Sequence, residues 1–94
     1  MKVNGFISVL TETEFHGKTG VTTSDCVAIT FFVPAGANPV TVNQIPIAAG
    51  GTLAIEQSAG YLDRTRYEFS FGTGGSGNEL YIIRIIPQMA IDKH

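Results

Sequence analysis

The chain has 94 residues and a formal net charge of −2, and its six Lys and Arg side chains are scattered rather than clustered. Without a basic patch to neutralise a row of phosphates, nucleic-acid binding is not expected. The single cysteine, Cys26, excludes an intramolecular disulfide and a zinc site built from several thiolates. No segment approaches the roughly 18 apolar residues of a membrane helix. The length predicts one domain, 1–94, with terminal arms at 1–3 and 88–94.

Short apolar runs separated by turn signals follow one another along the chain, and none lengthens into a helical period. Seven strands are predicted, at residues 3–10, 21–23, 27–33, 40–43, 52–57, 66–71 and 79–86. Residues 44–49 contain Pro46, which cannot donate to a strand ladder, so this piece is predicted to be an edge or a connection. The spacing predicts an all-β fold, an antiparallel β-sandwich that is jelly-roll-like.

Residues 66–71 predict the aromatic part of the core, and residues 72–78 predict a loop. In residues 66–71, Tyr67, Phe69 and Phe71 share one face and are the predicted core aromatics. The glycine-rich segment 72–78 is predicted to be a flexible hairpin loop, because glycine accepts positive φ freely.

The last strand is apolar on both faces, which predicts that both are covered. Tyr81, Ile83 and Ile85 form one face; Leu80, Ile82 and Ile86 form the other, which Arg84 interrupts. Either the polar segment 11–26 folds over the second face, or a partner does. The residues predicted to contact a partner are Leu80, Ile82, Ile86 and Phe32.

Chemical motifs are incomplete in this sequence. The run His16-Gly17-Lys18-Thr19 lacks the glycine that a phosphate-binding loop needs five positions before Gly17. Several residues of metal-ligand type lie close together but match no recognised spacing. These are Glu12, Glu14, His16, Asp25 and Cys26. A nucleophile pair of Cys26 with His16 has little support, so no catalytic, cofactor-binding or metal-binding residues are predicted, and the protein is not expected to be an enzyme.

Residues 32–71 contain, in this order, the segments NPVTVN and IPIAAGGTLAI and a polar spacer with D-x-T-x-Y. This segment resembles small β-rich structural proteins of tailed bacteriophages, including crAss-like and related phages. The resemblance implies a virion protein, made in the host cytoplasm, that serves as a capsid decoration, collar, ring or head-to-tail component. It implies a homo-oligomer whose partners are sibling copies and other virion proteins, without an active site, cofactor or membrane.

Two other classes remain open at this stage. A carbohydrate-binding or adhesin-like β module would use the loops near residues 61–66, where Tyr61 has no clear place in a core. A small cupin-like enzyme would need a histidine cluster to hold its metal, and the chain has only two histidines.

Overall fold

The computed structural model describes residues 8–58 and 60–88, which form eight β-strands. The strands are β1 (Ser8–His16), β2 (Gly20–Thr23), β3 (Ala28–Phe32), β4 (Val40–Val42), β5 (Ile45–Ile47), β6 (Thr52–Glu56), β7 (Arg66–Phe71) and β8 (Leu80–Gln88). No described residue belongs to a helix that could cross a membrane. The predicted terminal arms lie outside the described residues, apart from Gln88 at the end of β8.

The strands form two antiparallel sheets of four strands each. The first sheet has the order β1-β8-β3-β6 and the second the order β2-β7-β4-β5. Therefore β1 pairs with β8, β2 with β7, β3 with β6 and β4 with β5, which is the pairing of one long hairpin folded into two sheets. This is the strand order of a jelly roll, so the predicted all-β, jelly-roll-like sandwich is confirmed, with eight strands rather than seven.

The core lies between the two sheets and is built by alternation along the strands. Tyr67 and Phe69 are buried and Phe71 is partly buried against the same cluster, which confirms the predicted core aromatics. Leu53 and Ile55 of β6 also pack on this cluster from the first sheet. The buried apolar residues are Cys26, Ile29, Phe31, Val33, Ala37, Val40, Val42, Ile47, Tyr67, Phe69, Leu80 and Ile82.

The first strand differs from its prediction. Residues 3–7 lie outside the described residues, and β1 continues to His16 through a stretch predicted to be polar and irregular. The reason is that Glu12 and Glu14 lie on the same side of the sheet as the buried Arg84 of β8, at 3.8 Å and 2.9 Å from its guanidinium. Because this cation is buried, carboxylates occupy strand positions at which an apolar pattern would otherwise be expected.

The prediction for residues 44–49 is confirmed, whereas the prediction for the loop 72–78 is wrong. The piece around Pro46 is the edge strand β5, as the missing ladder donor requires. Its turn from β4 has positive φ at Asn43 (45°) and Gln44 (72°), the signature of a type I′ hairpin. The glycine-rich segment 72–78, however, connects β7 of the second sheet to β8 of the first and so is not a hairpin loop.

Candidate interaction surface

The first sheet has an outward side, which we call the outer face. Its central part consists of three alternating side chains from each strand, and β1 and β8 extend one pair further, at Val9 and Pro87. Cross-strand pairing arranges the twelve residues of this central part in three rows. The first row is Phe15, Tyr81, Phe32 and Thr52; the middle row is Thr13, Ile83, Thr30 and Ala54; the third row is Thr11, Ile85, Ala28 and Glu56.

Three aromatic rings stand side by side in the first row of the outer face. The ring centroid of Tyr81 lies 5.1 Å from that of Phe15 and 6.4 Å from that of Phe32. Phe15 is 54% exposed and Phe32 is 37% exposed, so the flanking rings present a large apolar area to their surroundings. Exposed aromatic side chains that rest on a rigid sheet are typical anchors of protein interfaces.

Charge is nearly absent from the outer face. Glu56, at a corner of the sheet, is its one residue of a type charged at neutral pH. The second sheet, by contrast, presents Arg66 and Glu68 outward from β7, with Ser70 beyond them, and the first two form an exposed ion pair. The second sheet thus has the polar exterior of a solvated surface, whereas the exterior of the first sheet consists of apolar side chains and threonines apart from Glu56.

The structure corrects the predicted interface residues. Leu80 and Ile82 are fully buried between the sheets, and Ile86 is partly buried against the core, so these side chains face inward. Phe32 alone of the predicted set lies on the outer face. The side of β8 available to a partner carries Tyr81, Ile83 and Ile85, because the other side packs against the second sheet.

The polar segment 11–26 does not fold over either side of β8. Its first part is in β1, which lies beside β8 in the same sheet and so extends the outer face. Its second part includes β2, which belongs to the other sheet. Within the described residues, therefore, this segment leaves the outer face open.

Arg84 is a buried charged side chain on the inner side of the first sheet, and it is held by a cluster of residues from the edge strands β1 and β2. Its Nη1 lies 2.9 Å from Oε2 of Glu14, and its Nη2 donates to Oε1 of the same carboxylate at 3.2 Å. The remaining contacts are a hydrogen bond from Nε to the Thr23 carbonyl, one from Nη2 to the Thr22 hydroxyl, and a longer approach of Nη1 to Glu12. The hydrogen bond from Arg84 holds the pKa of Glu14 below its usual range. With its donors engaged, Arg84 ties β8 and β1 to β2 and offers no free cation to a ligand.

A second buried carboxylate, Asp63, anchors the connection between β6 and β7. Burial disfavours its charge, but hydrogen bonds from the Tyr67 hydroxyl (2.5 Å), the Thr65 amide (2.8 Å) and the Ser24 hydroxyl (3.2 Å) outweigh this and lower its pKa. Burial, and then the bond to Asp63, raise the pKa of Tyr67 to about 12. Asp63 also exchanges backbone hydrogen bonds with Cys26, so the cluster joins two loops.

The residues of metal-ligand or nucleophile type each contact different neighbours and do not form one site. Glu14 binds Arg84 and lies 3.0 Å from Nε2 of His16, while Asp25 pairs with Arg64 at 3.3 Å. Cys26 is fully buried, and burial raises the pKa of its thiol, which leaves it a core residue of low reactivity. Among residues 8–58 and 60–88, no three side chains of His, Cys, Asp or Glu converge as metal ligands.

Sequence reasoning missed Phe15 as part of this surface. The signal was available in the alternation Thr11, Thr13, Phe15, which matches Ile85, Ile83 and Tyr81 across the pairing of β1 with β8. Comparisons with protein-family models, with curated proteins and with solved structures find no match for this chain.

Proposed function

We propose that this chain is a non-enzymatic virion structural protein, a capsid decoration, collar, ring or head-to-tail component. It acts by binding sibling copies and other virion proteins, and its place of action is the virion, after synthesis in the host cytoplasm. The observation that carries the proposal is the outer face of the first sheet, which has an exposed aromatic row, carries Glu56 as its one charged residue type and is uncovered by described residues. Apolar surfaces of this kind usually mark association sites.

The fold is compatible with this function but does not select it. Jelly rolls occur in viral capsid proteins, in lectins and in cupins, so the strand order alone is an analogy. A cupin would place several histidines around a metal, whereas His16 packs against Phe69 at 4.8 Å between ring centroids and lies beside Glu14. The resemblance of residues 32–71 to tailed-phage structural proteins favours the virion over the other classes.

A direct test combines the chain with the products of the genes that flank its own. We expect at least one flanking gene to encode a portal, capsid or tail protein, and we expect light scattering to report a complex heavier than the 10.0 kDa chain. The variant Thr30→Glu, on the outer face, should weaken that complex, while Thr41→Glu, on the outward side of the second sheet, should leave it intact. A chain that stays monomeric alone and in every mixture would contradict the proposal.

A carbohydrate-binding or adhesin-like module is the second candidate, and one observation favours it. Tyr61 is 67% exposed on the loop before β7, and the same loop carries Arg64, which forms an exposed ion pair with Asp25. An exposed aromatic ring next to charged hydrogen-bonding groups is a common sugar contact. Binding on a glycan array that Tyr61→Ala abolishes would support this function; an array without signal would reject it.

A further inference from the structure

We propose that a second copy of this chain covers the outer face, related by a twofold axis that crosses the four strands along the middle row. The inference rests on the proposed function in so far as it takes the outer face to be an association surface. It adds the identity of the occupant and the register of the contact. In this arrangement each strand lies over the same strand of the other copy with its direction reversed, and the first row of one copy lies over the third row of the other.

The first argument is the distribution of side-chain size over the rows. The first row presents the three rings of Phe15, Tyr81 and Phe32, whereas the third row presents smaller side chains, Thr11 and Ala28 among them. The twofold places Phe15 over Thr11 and Phe32 over Ala28 of the other copy, with Tyr81 over the apolar Ile85 between them. Large side chains facing small ones allow two sheets to interdigitate at the usual separation of about 10 Å.

An axis that runs along the strands is less favourable. It would place the first row of one copy on the first row of the other, so that the ring of Tyr81 would lie over that of Phe32, and Phe15 over Thr52. In the other two rows Ile83 would lie over Thr30 and Ile85 over Ala28, and these shorter pairs would not close the separation that the opposed rings of the first row require. Such an interface would lose the packing contacts that make apolar burial favourable.

The second argument is charge. A surface that binds its own copy about a twofold meets the same charges that it carries, so any net charge near the axis repels itself. The middle row contains Thr13, Ile83, Thr30 and Ala54, all uncharged. Glu56 lies at the far corner, where the twofold brings it near Thr52 and away from its own copy. The outer face therefore fits a sibling better than a partner recognised by opposite charge.

The third argument is area. Two strands of nine residues and two of five make up the sheet. With a strand spacing of about 4.8 Å and a rise of about 3.4 Å per residue, the projected outer face is about 450 Å². An axis on the middle row lets seven residues each of β1 and β8 and five each of β3 and β6 overlap, so a pair would bury about 800 Å² in total, at the low end of weak or transient complexes. We therefore expect a dimer that forms reversibly at high protein concentration and that becomes stable when other contacts repeat it in a larger assembly.

Sedimentation of the full chain over a concentration series tests the arrangement. The wild type should shift reversibly from monomer to dimer. Thr30→Glu places two like charges near the axis and should weaken dimerisation by about tenfold or more, as should Thr30→Lys. An equimolar mixture of the two variants should recover dimerisation, because the twofold brings residue 30 of each copy together. Thr41→Glu makes the same change on a half-buried strand residue of the second sheet and should dimerise like the wild type.

The outcomes separate this inference from the proposed function. A wild type that stays monomeric at every concentration, or variants whose mixture shows no recovery while circular dichroism shows them folded, would overturn the twofold pairing. If such a chain still binds a flanking virion protein, the proposed function stands and another occupant covers the outer face. If the pair forms as described but no virion protein binds, the twofold stands and the proposed function fails.

Discussion

Individual buried polar groups determine much of this fold at the residue scale. Arg84 and Asp63 each lie in the interior with their hydrogen-bonding capacity filled by near neighbours. Each joins segments that are distant in sequence: Arg84 connects β8 with β1 and β2, and Asp63 connects the β6–β7 loop with residues 24–26. A buried polar group is costly when left alone, so these clusters specify which strands meet.

Removing the carboxylate of Glu14 should destabilise the protein strongly. Glu14→Gln leaves the buried Arg84, whose side chain is only 6% exposed, without its two-pronged partner. We expect a loss of about 2–4 kcal/mol in the free energy of unfolding, measured by urea denaturation. Glu12→Gln is the matched control: this carboxylate is half exposed and 3.8 Å from Arg84, so its loss should cost less than about 1 kcal/mol. Equal losses for the two variants would contradict the role given to Glu14.

The hydroxyl of Tyr67 should make stability sensitive to alkaline pH. Its pKa is raised to about 12 in the folded protein, against about 10 for an unperturbed tyrosine. The folded state therefore binds this proton more tightly, so the stabilisation is complete below about pH 10 and is lost as pH rises through 12.

The measurement compares wild type with Tyr67→Phe by urea denaturation at several pH values. The difference in unfolding free energy between them should shrink by about 2 kcal/mol between pH 9 and pH 12. A difference that stays constant across this range would show that the phenol proton is not held by the fold.

At the scale of elements, the connections are as specific as the strands. The loop 72–78 is fixed by close backbone approach: a Cβ added at Gly75 would lie 2.3 Å from the carbonyl carbon of Ala37. The Gly75 amide also donates to Oδ1 of Asn38 at 2.6 Å, and the Asn38 amide donates to the carbonyl of Gly77. The loop thus packs on residues 37 and 38, which lead into β4 in the other half of the chain.

Substitution by alanine should affect stability differently at two glycines of this loop. Gly75→Ala forces the two backbones apart and should lower the free energy of unfolding by about 1–3 kcal/mol. Gly77→Ala meets nothing within 4 Å and should change it by less than about 1 kcal/mol. Thermal unfolding of the two variants provides the comparison, and a tolerated Gly75→Ala would mean that this contact is not tight.

A glycine in the β4–β5 turn, at position 44, should stabilise the protein. Gln44 has a φ of 72°, a region that costs a side chain about 1 kcal/mol. Gln44→Gly removes this strain in the type I′ turn and should stabilise the protein by about 0.5–1 kcal/mol. Gln57→Gly, at a position without positive φ, should instead destabilise it. Chemical denaturation that ranks the two variants in the opposite order would refute the turn assignment.

The element patterns also show what sequence can and cannot predict here. One-sided alternation in β4 and β7 identified inward residues correctly, because each strand has a single solvated side. In β8 both sides are apolar, so alternation could not say which of them faces the core, and Leu80 and Ile82 were assigned to the interface although they lie inside. In β1 the inward Glu12 and Glu14 concealed the strand, since their partner Arg84 is about seventy residues away and only the fold brings them together.

At the scale of the whole molecule, the two sheets have different exteriors. The second sheet has a polar exterior with an ion pair, and the first has an aromatic row and an uncharged middle row. A protein of this size buries a modest core, so covering a further apolar face by association adds stability that its own interior does not supply. This difference between the sheets fits the proposal that partners bind the first sheet while the second sheet faces solvent.

The central claim is that the outer face of the first sheet becomes covered when the protein associates. The most direct measurement is methyl NMR of the labelled full chain, dilute and concentrated, and with a flanking virion protein added. The methyl signals of Ile83 and Ile85 should shift on association, while that of Val21, exposed on β2 of the second sheet, should stay in place. Shifts at Val21 with unchanged Ile83 and Ile85 would contradict the claim.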